Sequence, residues 1–152
     1  VPAVVFAIAI IAVVGTGLVR AMFAIGIVYS MIITRLTRAE VFAAREELYV
    51  DGARASGASN SRIMFRHILP NIAPVLILQA TIQFSLAILA ESGLSYLGLG
   101  AQPPVPSWGG MIREYYPYLI TGKAYLSLIP GALIAGSVLS LNTLSTVWSE
   151  RN

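Results

Sequence analysis

Four stretches of the chain are apolar at nearly every position: VPAVVFAIAIIAVV, AMFAIGIVYSMIIT, IAPVLILQATIQFSLAILA and AYLSLIPGALIAGSVLSLNTLSTVW. A surface helix shows one apolar stripe, whereas these stretches are apolar around their whole circumference, which predicts helices surrounded by lipid or protein. The turn between the first two, GTGLVR, is Gly-rich and too short to travel far from a membrane. The first stretch holds about 15 apolar residues, short of the ~20 that span a bilayer. It opens on Val1 with nothing basic ahead of it, unlike a signal peptide. The expectation is a chain that begins inside a membrane helix and is a piece of a longer protein.

Between the second and third stretches the pattern changes. LTRAEVFAAREELYV is rich in helix formers and lacks Gly and Pro, so the second membrane helix is expected to continue into it. Its charges, Arg35, Glu40, Arg45 and Glu46, point to several sides, which suits a helix standing in water more than one lying on lipid. Then comes YVDGARASGASNSRIMFRHILP, where Asp51 is the expected N-cap of a short helix. Gly52, Ala53, Ala55, Ser56, Gly57, Ala58 and Ser59 are small enough to let another protein approach closely, and Gly57 permits a sharp turn. Arg54 is the one long side chain among them, a planar donor suited to anchoring a partner. Pro70 is expected to break the helix that follows, with Asn71 capping the next one and Pro74 in its first turn. A solvated loop between membrane helices accounts for this polar segment as well as a docking element does.

Composition confirms the class that the pattern suggests. Of 152 residues, 57% are hydrophobic and only 11% are charged, about half the charged share of a soluble domain. Mean hydropathy is +0.77, so the expected class is an all-α integral membrane protein, a polytopic helical bundle. The formal charge is +3, and six of the ten basic residues fall at Arg35, Arg38, Arg45, Arg54, Arg62 and Arg66. Basic residues stay on the cytoplasmic side. The expected division is therefore two membrane helices in 1–34, a cytoplasmic segment in 35–70 and a membrane helix in 71–90. An extracytoplasmic loop in 91–123, a last membrane helix in 124–148 and an inner tail SERN complete the multi-pass arrangement.

The outer loop carries QPPVPSWGG, whose three prolines exclude a regular helix or strand there. Tyr96, Trp108, Tyr115, Tyr116 and Tyr118 are rings of the kind that sit at headgroup depth. An interfacial cap and a substrate gate both fit these residues. There is no cysteine, and His67, the lone histidine, has no second ligand near it in sequence, which favours a polar contact over a metal. No Gly-Lys-Ser/Thr follows Gly57, so the insert is no phosphate loop. Gln79 and Gln83 lie four residues apart on one face of the third apolar stretch. Such groups face a helix partner or a watery cavity, and Asn142 and Pro130 in the last stretch carry the same two meanings.

The spacing of the insert resembles the cytoplasmic signature of bacterial ATP-binding-cassette importer permeases. That signature runs Glu-Ala-Ala, three residues, Gly, nine residues, Ile, any residue, then Leu-Pro. Asp51-Gly52-Ala53, Gly57 and Leu69-Pro70 stand at those spacings, with His67 in place of the Ile. AIGIVYSMIITRLTRAEV, YVDGARASGAS, HILPN and YLGLGAQPPVPSWGGMI are similar to the dipeptide, oligopeptide and nickel permeases, and the resemblance covers nearly the whole chain. NTLSTVWSERN departs from it, with Ser145-Thr146 where that family has Gly-Asp.

The resemblance implies a partial type I importer transmembrane domain of about four membrane helices, the first truncated, in a bacterial plasma membrane. It implies a heterodimer with a second permease subunit, two cytoplasmic ATPase subunits and an extracytoplasmic substrate-binding protein. ATP hydrolysis would belong to the ATPases, leaving this chain with no catalytic residue, no cofactor, no metal and no nucleic-acid partner. Asp51, Gly52, Ala53, Arg54, Gly57, Ala58, Ser59, Leu69 and Pro70 would then form the ATPase-coupling segment. Gln79, Gln83 and Asn142 are candidate pore-lining residues. A membrane scaffold that recruits a soluble partner through the basic insert is the alternative. A self-sufficient secondary transporter is disfavoured, because no acidic residue lies within an apolar stretch.

Overall fold

The structure is a computed structural model and describes residues 2–150, so Val1 and the last two residues of the tail lie outside it. The first apolar stretch forms α1 (Ala3–Val14), which ends at Gly15. The second forms α2 (Leu18–Arg45), whose 28 residues run past the membrane stretch into the charged segment, as its helix-forming composition predicts. Two short helices follow, α3 (Leu48–Ala55) and α4 (Asn60–Ile63). A π-helical turn over Met64–Ile68 leads without interruption into α5 (Leu69–Tyr96). After α5, α6 (Trp108–Tyr115) and a 3₁₀ turn (Tyr116–Thr121) precede α7 (Tyr125–Glu150).

Three continuous helical runs, Leu18–Arg45, Asn60–Tyr96 and Tyr125–Val147, are long and apolar enough to cross a membrane, and α1 is a shorter apolar helix beside them. The fold is an all-α membrane bundle. In it α2 packs on α1 and α5, while α7 packs on α5 and α6. Large side chains such as Phe23 and Leu128 remain exposed, as lipid contact allows.

The bundle has a core at each end. At one end Ala7 and Ile11 of α1 meet Ala21, Ala24, Ile25 and Val28 of α2, and Ala90 and Leu94 of α5 complete the cluster. Half of these residues are alanine. Small side chains let helix backbones approach, which matters where lipid removes the hydrophobic drive for helix association. At the other end, beside the polar insert, Ala44 of α2, Val50 of α3, Ile63, Ile68 and Ile72 form a second cluster. This one ties the polar insert to both long helices.

Three local expectations are corrected. Asp51 is not a helix N-cap: α3 begins earlier, after Glu47, and Asp51 lies inside it. The start is set by Val50, which is fully buried in the second cluster and draws Leu48–Asp51 into the helix with it. Pro70 does not break the chain, and Asn71 caps nothing; both sit within the first turn of α5. A proline lacks the N–H of a regular turn and crowds the carbonyl four residues back. The wider π turn just before it accommodates that loss while the axis continues. Lastly, the irregular stretch ends at Ser107, and Trp108, Gly109 and Gly110 already belong to α6. The prolines stop at Pro106, so nothing prevents a helix from starting two residues later.

Candidate functional site

Two features stand out, one at each end of the third membrane helix. The first, at the amino-terminal end of α5, is the α3–α4 hairpin. Gly57 adopts φ +78, and a Cβ built there would meet no atom within 4 Å. The turn thus requires a left-handed residue but leaves open space around it, which suits glycine on conformational grounds. The Gly57 amide donates to the Arg54 carbonyl at 2.9 Å and the Ala58 amide to the Ala53 carbonyl at 3.1 Å, closing the end of α3. Ser59 then caps α4, its hydroxyl accepting from the Arg62 amide at 3.4 Å.

Asp51, Gly52, Arg54, Gly57 and Ser59 are exposed, whereas Ala53 and Ala58 are half-buried against the second cluster. The hairpin therefore has a packed underside and a free, small-residue outer surface. Arg54 donates to the Asp51 carboxylate at 3.2 Å, with 45% and 63% of the two side chains exposed. Surface pairs of this kind contribute little, so the guanidinium stays available to another acceptor. Leu69 and Pro70 are exposed at the start of α5, and His67 is half-buried in the π turn. A direct link joins hairpin and membrane helix: the Asn71 side-chain amide donates to the Tyr49 hydroxyl at 3.2 Å. On the flank, Arg38 and Arg45 lie 5.5 and 5.9 Å from the centre of the Phe42 ring, an exposed cation–π cluster at the end of α2.

The second feature is a cleft of about 790 Å³ between α2 and α5. It runs along Leu18–Ile33 and Ala80–Ser92, about 22 Å and about 18 Å of helix at the rise of ~1.5 Å per residue. Pro106, Ser107 and Trp108 cover its outer end. Ser107 caps α6 by accepting from the Gly110 amide at 3.0 Å, and α6 is pressed onto α5 where Gly109 meets the Ser92 carbonyl. Below that lid, the Ser95 hydroxyl donates to the Glu91 carboxylate at 2.6 Å and accepts from the Ala101 amide at 2.9 Å. This pair of bonds secures the corner at which α5 ends.

Gln83 lines the cleft, only 6% exposed, and its Oε1 has no hydrogen-bond partner. Gln79 is half-buried outside the cleft lining, and Asn142 is exposed on α7, so the three candidate polar residues do not converge. Tyr29, Glu91 and Ser92 are cleft residues that the sequence pattern did not single out. Spacing offered a partial signal, because Gln83 and Glu91 are eight residues apart and fall on nearby faces of one helix. Among the described residues no cluster of three or more His, Cys, Asp or Glu side chains is arranged to hold a metal.

Residues 1–151 match the family described as the binding-protein-dependent transport system inner membrane component. The chain belongs to that family. As an inner membrane component of such a transport system, it is a helical membrane domain, in accord with its three spanning helices. It is 43% identical over 143 residues to the dipeptide transport system permease protein DppC of Alkalihalophilus pseudofirmus, covering 94% of this chain and 47% of the relative. The di/tripeptide transport system permease protein DppC of Pseudomonas aeruginosa has the same identity and coverage. The glutathione transport system permease protein GsiD of Salmonella typhimurium is 34% identical, again over 94% of this chain and 47% of its own length. The chain thus spans about half the length of the curated relatives it matches. Within this inner membrane component, the hairpin and the cleft lie at opposite ends of α5.

Proposed function

We propose that this chain is the coupling half of a permease subunit in an ATP-driven peptide importer. Its partners would be a second permease subunit, two ATPase subunits and an extracytoplasmic binding protein. The relatives named for dipeptides, di/tripeptides and glutathione favour a peptide as substrate over nickel. Hydrolysis belongs to the ATPases, and this chain transmits movement.

One observation carries the proposal: the exposed α3–α4 hairpin is fastened to α5 by a buried apolar cluster and by the Asn71–Tyr49 bond. Asp51, Gly52, Arg54, Gly57 and Ser59 present the docking surface of the coupling segment, Ala53 and Ala58 seat it on the buried cluster, and Leu69 and Pro70 join it to the membrane helix. A push on the hairpin then moves α5 as a lever, with little to absorb the motion between them. Gln83 lines the path that α5 would open and close, with Gln79 and Asn142 as further candidate pore-lining residues on the assembled bundle.

The test is uptake of a labelled dipeptide by membranes holding the complete permease with its co-encoded ATPases and binding protein. Uptake should require ATP and the binding protein. It should stop when the phosphate-binding lysine of the ATPase is replaced. ATP-independent uptake, or assembly with no ATPase, would overturn the importer.

A further inference from the structure

Four residues near the end of α2 form a stripe that neither the hairpin nor the cleft uses. Arg35, Arg38, Phe42 and Arg45 follow one another at spacings of three and four, so they share one side of the helix, and all four are exposed. Glu40 stands on the opposite side. Among the described residues the one ion pair is Arg54–Asp51, so none of these three guanidiniums has a carboxylate within 4.0 Å. Arg38 and Arg45 turn instead to the Phe42 ring, at 5.5 and 5.9 Å from its centre, which gathers two positive charges on one ring. In the other direction along α2 the same side continues as Met31 and Ile27, apolar and exposed. Bilayer thickness places the stripe. The hydrocarbon layer is ~30 Å deep, which a helix crosses in about 20 residues at ~1.5 Å each. Counted from Leu18, where α2 begins, that depth ends near Thr37. Arg35 and Arg38 therefore lie where hydrocarbon gives way to headgroups, and Phe42 stands about 6 Å further on, within a headgroup layer ~5–8 Å deep.

Guanidiniums without carboxylate partners, set directly above an exposed apolar side, match an amphiphile with an acidic head. Phosphate oxygens suit the planar fork of donors, and acyl carbons suit Met31 and Ile27. We propose that this side of α2 binds an anionic phospholipid of the leaflet on the hairpin's side, Arg35 and Arg38 taking the phosphate while Phe42 holds Arg38 and Arg45 beside the headgroup. An acidic protein surface is the competing occupant. It would approach from water, whereas Arg35 and Arg38 stand at the edge of the hydrocarbon and the apolar side below them calls for acyl chains. A lipid held there fixes the depth at which α2 stands. It thereby fixes the height of the hairpin, because Ala44 of α2 belongs to the cluster on which the hairpin is seated.

The experiment uses the complete transporter in nanodiscs, with any cysteines of the partner chains replaced by serine. This chain has no cysteine, so Met31→Cys places a single bimane one turn deeper than Arg35, at acyl depth. The probes are brominated phosphatidylglycerol and brominated phosphatidylcholine, each at the same small mole fraction in a phosphatidylcholine disc. Brominated phosphatidylglycerol should quench the bimane as though enriched about fivefold or more, the gain expected for each arginine beside an anionic headgroup, and raised salt should shrink that preference. Arg35→Gln together with Arg38→Gln should make the two lipids quench alike. Lysine at both positions should keep a preference for the anionic lipid, and Glu40→Gln, on the opposite side of the helix, should leave it unchanged. Equal quenching by the two lipids with both arginines present overturns the site. A preference that raised salt leaves untouched, or that survives the loss of both arginines, overturns it as well. Quenching by neither lipid shows that protein covers the stripe, which also overturns the proposal.

Discussion

The side-chain amide of Asn71 donates to the Tyr49 hydroxyl at 3.2 Å, across 22 positions of sequence. It is a side-chain bond between α3 and the first turn of α5, and both residues are exposed. A neutral hydrogen bond contributes ~0.5–1.5 kcal/mol, with exposure placing this one at the low end. Tyr49→Phe and Asn71→Ala are each expected to lower peptide uptake about twofold while leaving insertion and ATPase association intact. The double variant should be no worse than either single one, since the two remove the same bond. Fully additive losses in uptake would show that the pair transmits nothing.

The membrane orientation gives a second expected outcome. By the positive-inside rule, the six arginines from Arg35 to Arg66 predict a cytoplasmic α3–α4 hairpin, with α6 on the other side of the membrane. The chain is free of cysteine, so single thiols can be introduced at Ser59 and Ser107 without background from it. An impermeant reagent applied to intact cells should label the thiol at 107 and reach the one at 59 only after lysis. Labelling of both from one side contradicts the topology.

Much of the hairpin was legible because it depends on local chemistry. A left-handed turn among small residues demands glycine, and Gly57 stands where the turn occurs, at φ +78. The continuation of α2 to Arg45 follows from an uninterrupted run of helix formers. The start of α3 was not legible, because burial of Val50 against Ile63, Ile68 and Ile72 decides it, and that contact is distant in sequence. The π turn was hidden for a related reason: Pro70 reads as a helix end unless the preceding turn widens, which only the packing of Ile68 and Ile72 on α2 and α3 reveals. Gln79 and Gln83 look equivalent on a helical wheel. Only the pairing of α2 with α5 shows that Gln83 faces a cleft and Gln79 does not.

A third outcome concerns the outer lid. A Cβ at Gly109 would collide with the backbone carbonyl of Ser92, which cannot move without shifting α5. Gly109→Ala is therefore expected to force α6 away from α5 and cost ~1–3 kcal/mol, as overpacking does. The matched control is Gly131→Ala, where the nearest atom, Ile112 Cδ1, would stand at 4.0 Å. Alanine there should be neutral or stabilising by up to ~1 kcal/mol, because it replaces glycine inside a helix. The thermal unfolding midpoint of the purified permease measures both, and a lower midpoint for the control than for Gly109→Ala would show that the lid is not close-packed.

The hairpin turn supports the most discriminating series. Because nothing lies within 4 Å of a Cβ at Gly57, substitution there acts through the backbone and not through collision within this chain. A left-handed conformation costs an ordinary residue ~1–2 kcal/mol, asparagine less, and a β-branched residue most. If strain in the turn is what matters, ATPase co-purification and uptake should rank Gly, Asn, Ala, Val in falling order, with membrane insertion unchanged throughout. If the partner surface presses on the glycine itself, Asn and Val should fail together, since both project a side chain into the space the ATPase would occupy. Arg54→Ala should weaken association more mildly than Gly57→Val, because the helix carrying it remains closed by the Gly57 and Ala58 amides. Ser107→Ala, on the opposite side of the membrane, should leave association unchanged. Either ranking supports docking at the hairpin. Full association and uptake with Gly57→Val would instead make the segment a solvated loop, and the lever formed by α3, Tyr49, Asn71 and α5 would have nothing pushing on it.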